Sequence, residues 1–366
     1  MNQALGLRIL GEIMNWDEDR AMKEFAWLRL MSRLKYDGYR DFIAGMRFVE
    51  SLSAWLQQFK PEEREIAYSF IRNSLVYIGP AEIQHLVELF YPETVQRRLL
   101  SAVAGFLKIS KYRVWADANS AREYETLLRR SLFFGMSDGA RIDTFRRTNA
   151  GAITNEQVLL ATEISDEKWD QVLTDLRKDL KDDNARFAFV FLIDDFVGSG
   201  TTLLRKEGAW KGRLKRFWDT IEKHLKTHFQ DDWSLIVHHY IGNSEATKTI
   251  NDRHSAISAE RGPGNWFKSV EFTFGMVLPA TLRVNSEHHK QFFELVDKYY
   301  NSAIQTSHTD KGGTADVRLG FGNCALPLVL EHNTPNNSIA LLWAETDDSN
   351  GQHAMRPLFR RRQRHS

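Results

Sequence analysis

Residues 187–203, FAFVFLIDDFVGSGTTL, constrain what this chain can fold into more than any other stretch. Seven consecutive apolar residues, Phe187 to Ile193, fit a strand buried on both faces, the kind found in parallel α/β sheets. The doublet Asp194-Asp195 falls where that strand must leave the sheet. Gly198, Ser199, Gly200, Thr201 and Thr202 follow: two glycines that allow a tight turn and three hydroxyls, leading into what reads as the first turn of a helix. Backbone N–H groups, hydroxyls and a helix N-terminus that converge on an anion form a phosphate cradle. Two carboxylates beside such a cradle point to a ligand that carries both a sugar and phosphates.

The strand has the company it needs. SLFFGM (131–136) is a second apolar run, ended by the turn signal Ser137-Asp138-Gly139. Behind it, Arg141, Arg146 and Arg147 lie close to Asp138 and Asp143. This segment is either a salt-bridged surface turn or an anion site facing the Asp194 loop. Thr154 to Gln157 has capping-box spacing. Trp169, Val172, Leu173, Leu176 and Leu180 form a helical stripe, as do Trp210, Leu214, Phe217, Ile221 and Leu225 after the loop. The basic residues of the later stripe (Lys211, Arg213, Lys215, Arg216, Lys223) read as a solvated face. WSLIVHHYIG (233–242), VEFTFGMVL (270–278) and SIALLWAE (338–345) read as further strands. Strands alternating with amphipathic helices predict a mainly parallel sheet flanked by helices, with ligands beyond the carboxyl ends of its strands. His238 and His239 are neighbours in a strand, so they face opposite sides and do not chelate one metal together.

Residues 1–128 read as an all-helical N-terminal domain, from stripes such as Met22, Phe25, Leu28, Met31 and Phe42, Met46, Val49, Leu52, Leu56, Phe59. Pro61, with Glu62 and Glu63 behind it, starts another helix, and Pro80 a fourth. The α/β domain is expected over 129–355 and a basic tail over 356–366. His332-Asn333-Thr334-Pro335-Asn336-Asn337 is a turn with more amide and imidazole hydrogen-bonding capacity than a turn requires, and reads equally as a hairpin connection or a binding element. The tail RPLFRRRQRHS has five arginines and no acid; it reads as a solvated, disordered end, or as a contact to RNA.

Composition narrows the class without choosing the chemistry. A formal net charge of +1 leaves no strong global field, so a nucleic-acid contact needs a local patch. The single cysteine, Cys324, rules out an internal disulfide and fits a reducing compartment. No apolar run reaches the length of a membrane span and the N-terminus lacks the charge pattern of a signal peptide, so a soluble cytoplasmic protein is expected.

Three phosphate loops compete for GSGTT. A Walker A loop needs a lysine after its last glycine, and none follows Gly200. A dinucleotide fingerprint needs a third glycine where Leu203 stands and an acid about twenty residues downstream, whereas here the acids come first. The third is the phosphoribosyl-diphosphate (PRPP) motif: apolar strand, two acids, two apolar residues, then small residues ending in threonine. VFLI, Asp194-Asp195, Phe196-Val197 and Gly198 to Thr202 fit it throughout. On these residues the chain resembles the type I phosphoribosyltransferases. The resemblance implies that Asp194 and Asp195 lie near the ribose hydroxyls, that Gly198, Ser199, Gly200, Thr201 and Thr202 hold the 5′-phosphate, and that Mg2+ arrives on the diphosphate. It also exposes a departure: some purine-salvage members place a catalytic aspartate where this chain has Gly198.

A wider resemblance rests on FGMSDGARIDTFRRTN, FLIDDFVGSGTT, GFGNCALPLVLEHNTPNN and PLFRR, preceded by WLRLMSRLKYDGYRDF. Together these look like the PRTase-CE family, phosphoribosyltransferase-like proteins of bacterial anti-phage systems, some encoded beside retrons. That resemblance covers nearly the whole chain. It implies a type I fold behind an all-α domain, a defence effector or accessory protein, and a protein partner met through the helical domain. It also favours one cleft for Asp138, Gly139, Arg141, Asp143, Arg146, Arg147 and the turn bearing His332, Asn333, Asn336 and Asn337, as contacts to diphosphate or acceptor. Three functions stay open: Mg-dependent phosphoribosyl transfer or hydrolysis, a non-catalytic PRPP or nucleotide sensor, and a structural RNA- or protein-binding partner with a vestigial site.

Overall fold

The computed structural model describes residues 3–159, 164–262, 265–306, 309, 314–347 and 353–361. Its strands are β1 (Val76–Ile78), β2 (Ser131–Gly135), β3 (Val158–Leu159), β4 (Phe187–Val197), β5 (Arg205–Glu207), β6 (Ala209–Lys211), β7 (Phe229–Asn243), β8 (Val270–Leu278) and β9 (Leu328–Leu330). The chain is mixed α/β, with a central five-stranded parallel sheet flanked by helices and a helical N-terminal region. Packing divides it into two units, one made of residues 1–82 with 279–366 and the other of residues 83–278. Among the described residues no helix is long and apolar enough to cross a membrane.

The second unit holds the sheet, in the order β3-β2-β4-β7-β8, every pair parallel. β4 runs through its middle and is buried from Phe187 to Asp194, which is why its sequence is a continuous apolar run and not an alternation. Side chains of alternate residues go to opposite faces. Leu132, Phe134, Val190, Leu192, Leu235 and Val237 pack in one core with the stripes of helices Asp166–Leu180, Arg213–Ile221 and Ser244–Arg261. Phe133 and Phe191 stack at 5.1 Å between ring centres, and Phe145 and Phe90 close over them. Phe90 ends the helix Pro80–Phe90, so that helix reaches the sheet at its last residue.

In the first unit the N-terminal helices pack with the C-terminal quarter of the chain. β1 pairs in parallel with β9, Trp55 Nε1 donates to the Leu341 carbonyl at 2.7 Å, and Ser51 Oγ donates to the Leu358 carbonyl at 2.6 Å. β1 and the helix around Trp55 thus take their partners from beyond residue 278.

Four local expectations need correction. SIALLWAE is no strand: Ala340–Trp343 is a helical turn, apolar because Ala340, Leu341 and Leu342 are buried all round, and Ile339 N–H and Ala340 N–H are taken by the Leu326 and Arg318 carbonyls. Phe42 and Met46 precede their helix, which runs Phe48–Leu56, with Arg47 N–H donating to the Glu50 carboxylate at 3.2 Å and Phe48 N–H to Asp37 Oδ1 at 3.0 Å. The GSGTT loop does not run directly into a helix, because the β5–β6 hairpin comes first and takes Trp210 out of the following stripe. The tail is no solvated end as far as Arg361: Leu358 and Phe359 are buried, and the Phe359 ring lies 5.2–6.0 Å from those of Tyr36, Tyr39, Phe42, Phe48 and Tyr77. Residues 362–366 of that basic stretch lie outside the described residues.

Candidate functional site

β4 delivers its two acids at the carboxyl edge of the sheet. Register places Gly135 beside Ile193 and Asp194 beside His239, so the residues that follow β2, β4 and β7 meet at one edge. Asp194 is buried, and its carboxyl group accepts from Ser137 Oγ on one oxygen and pairs with the Arg213 guanidinium on the other. Asp195 is half-buried against Gly139: a Cβ there would stand 2.6 Å from the Asp195 Cγ, so only glycine lets the β2 turn approach this closely. Burial, followed by the neighbouring Asp195 charge, pushes the Asp194 carboxyl up to about 7, outweighing Arg213 and Ser137, which favour the ionised form.

The loop after the acids is held from beneath by the helix Ser244–Arg261. Asn243 caps that helix, its Oδ1 accepting from Ala246 N–H at 2.8 Å, while its Nδ2 donates to the Gly198 carbonyl at 2.9 Å. Arg253, one side further along, donates to the Leu204 carbonyl at 2.9 Å and reaches Thr201 Oγ1 at 3.4 Å. Gly200 adopts a left-handed φ of +72°, and a Cβ on it would meet Ile250 Cγ1 at 2.9 Å. Ser199 Oγ donates to Thr201 Oγ1 at 3.1 Å. Thr202 is exposed, and its carbonyl accepts from Arg213 N–H at 3.0 Å, which brings the helix Arg213–Ile221 back to the loop after the hairpin.

The residues behind β2 divide. Gly139 and Arg141 stand close to the acids: Tyr240, whose hydroxyl donates to the Ala140 carbonyl at 3.0 Å, feels Asp195, Asp194 and Arg141 electrostatically, and burial above all keeps its phenol protonated. Asp138 is exposed in the one-turn helix Asp138–Ala140. Asp143 and Arg147 form an exposed i, i+4 ion pair at 3.0 Å, and Arg146 is exposed beside them. His238 and His239 do point apart. His238 lies on Phe90 and bonds Thr273 Oγ1 at 2.9 Å, His239 stacks on Phe274, and burial lowers both to about 3. Among the described residues no group of three or more His, Cys, Asp or Glu side chains is arranged to hold a metal ion.

The turn at 332–337 belongs to the first unit. Asn337 Nδ2 donates to the Phe321 carbonyl at 2.9 Å, the Asn336 carbonyl accepts from Phe321 N–H at 2.7 Å, and Thr334 Oγ1 bonds the Tyr39 hydroxyl at 3.0 Å. Asn333 closes a tight turn with Leu330 through paired backbone bonds at 3.1 Å, and His332 lies beside the buried Glu331, which pairs with Arg40 at 2.8 Å. Part of the turn's surplus polar capacity is therefore spent inside its own unit. Ser137 was read only as part of a turn signal and Arg213 as part of a solvated face, which its pairing with buried Asp194 corrects; Asn243 and Arg253 fall in no element read from the sequence, and only Asn243, a good cap residue just after a strand, carried a local signal.

The family model PRTase-CE matches residues 52–361 of the chain. No curated protein and no solved structure matches it.

Proposed function

The chain belongs to the PRTase-CE family, and on that premise we propose that the β4 loop binds a ribose 5′-phosphate bearing a diphosphate, as PRPP does, for Mg-dependent phosphoribosyl transfer or hydrolysis. The observation that carries this reading is the pair Asp194-Asp195 at the carboxyl end of the central strand, followed at once by a glycine-hinged loop of hydroxyls and backbone N–H groups. Carboxylates accept from vicinal sugar hydroxyls, and the loop supplies donors to a phosphate. Asp195, half-buried, is the acid better placed to meet a ligand, while Asp194 is held by Ser137 and Arg213 and shapes the site from behind.

Mg2+ would be held mainly by the diphosphate. Bound there it would neutralise charge on the leaving diphosphate. The protein's own part is to fix the ribose between the acids and the loop, and to set carboxylate charge beside a sugar that turns cationic as its C1–O bond breaks. Arg141, which with the two acids acts electrostatically on Tyr240, is the candidate for the diphosphate. In the family's setting the protein acts in the cytoplasm as an effector or accessory protein of a defence system, meeting a protein partner through its helical region; contact of its arginine-rich end with RNA belongs to a separate reading, a structural partner with a vestigial site.

A second reading is a sensor that binds the same ligand without turning it over. Gly198 stands where a base would be needed to deprotonate an acceptor, and Arg213 already neutralises Asp194. Calorimetric titration of PRPP with Mg2+ into the wild type and the Asp194→Asn/Asp195→Asn double variant, followed by assay of diphosphate release with a panel of bases and nucleosides, tests both. Binding lost in the variant supports the site, and release of diphosphate supports the enzyme. Binding without release supports the sensor, and a wild type that does not bind overturns both.

A further inference from the structure

We propose that the segment from Phe106 to Trp115 is a binding surface for single-stranded nucleic acid, independent of the β4 loop. The helix Arg97–Leu107 stops at Lys108, whose left-handed φ of 55° turns the chain back into the short 3₁₀ helix Lys111–Trp115. Buried Val114 anchors that turn, and the ring of Trp115 leans edge-on against Tyr124 at 4.8 Å. The remaining large side chains face water: Phe106 is 77% exposed, Tyr112 75% and Trp115 50%. Residues three apart on a 3₁₀ helix eclipse one another with a rise of about 2 Å per residue, which sets Tyr112 and Trp115 on one side, roughly 6 Å apart along the axis.

Between these rings stand Lys108, Lys111 and Arg113, all exposed, and none of them has an ion-pair partner among the described residues. The surroundings explain why. No acid occurs from Thr94 to Ala116, and the first one after it, Asp117, is committed to capping the helix Ala118–Arg129, accepting from Asn119 N–H at 2.9 Å and Ser120 N–H at 3.3 Å. Arginines earlier on the same helix are paired, Arg97 with Glu93 and Arg98 with Glu271. Exposed ring faces among uncompensated cations call for a partner with negative charge and flat apolar faces in alternation. An acidic protein surface matches the cations and leaves the rings uncovered, and a duplex hides its base faces in the stack. A single strand presents phosphates to the cations and unstacked bases to the rings.

Anisotropy of a fluorescein-labelled oligothymidylate and of the matching oligouridylate, measured across a salt series, tests the surface and shows whether DNA or RNA is preferred. The Lys108→Gln/Lys111→Gln/Arg113→Gln variant should flatten the slope of log affinity against log salt by about 2, the effect of losing three phosphate contacts on a single strand. Phe106→Ser/Tyr112→Ser should weaken binding on the order of tenfold or more with the slope unchanged. All five side chains are exposed, and a melting curve matching the wild type confirms that each variant is folded. A wild type that binds neither oligonucleotide overturns the proposal, whatever protein it captures through this segment. So does binding that survives both variants and disappears on deletion of Arg362 to Ser366. Because the β4 loop is untouched by these changes, loss of PRPP binding would leave this result standing.

Discussion

Arg213 is tied to the candidate site at both ends: its guanidinium pairs with Asp194 and its backbone N–H donates to the Thr202 carbonyl in the loop. One residue thus couples the acids at the end of β4 to the loop that follows them. Removing its charge leaves a carboxyl group buried beside a second carboxylate. Arg213→Gln should therefore destabilise the fold, by about 3 kcal/mol at pH 8, the scale of breaking a buried pair from one side. The loss should be smaller at pH 5, where Asp194 carries its proton. Urea unfolding of both proteins at the two pH values measures the difference.

The sign of that pH effect follows from Asp194 itself. Its carboxyl is raised to about 7 in the folded chain against an ordinary 3.8, so between those values the folded state holds a proton that the unfolded state has lost. Its contribution to stability is present below about pH 4 and is lost as pH rises to about 7. His238 and His239, lowered to about 3, act in the opposite direction as pH rises toward 6.5, so the whole protein need not show a monotonic trend. The difference between wild type and Asp194→Asn isolates the acid. Relative to wild type, the variant should gain stability steadily from pH 4 to 7, and a difference that stays flat in thermal melts over that range would contradict the raised carboxyl.

Asn243 does two jobs with two atoms, and two substitutions separate them. Asn243→Asp keeps an oxygen for Ala246 N–H and loses the donor to the Gly198 carbonyl; Asn243→Ala loses both. The alanine variant should lose about 1 kcal/mol or more of stability with its cap. The aspartate variant should keep most of the cap's contribution, while both weaken PRPP binding because the loop carbonyl is released. Denaturation midpoints and calorimetric affinities for the three proteins form the test.

What could be read from the sequence follows how local its cause was. β4, β7 and the stripes at Trp169 and Leu214 were legible because burial on both faces of a strand writes a continuous apolar run, and burial on one helical face a period, into the residues themselves. Asp194, Asp195 and the glycine-bearing loop were legible for the same reason, since strand, acids and loop are contiguous. Ser137, Arg213 and Arg253 act on that site from 57, 19 and 52 residues away in sequence, where only the folded sheet brings them together. Ile339 to Leu342 misled because total burial makes a helical turn as apolar as a strand. The tail misled because five arginines outweighed the two residues that matter for packing.

Those two residues, Leu358 and Phe359, supply the last test. Phe359 is fully buried among five aromatic rings contributed by residues 36–77, and Thr334 Oγ1 donates to its carbonyl at 3.3 Å. A solvated tail would tolerate its truncation, whereas a core ring would not. Phe359→Ala should cost about 3–5 kcal/mol, the range for emptying a phenylalanine site in a packed interior. Arg356→Ala, an exposed tail residue three positions away, should change stability by no more than about 0.5 kcal/mol. Urea unfolding followed by circular dichroism measures both variants against the wild type. Equal, small effects for the two variants would return the C-terminal segment to the surface.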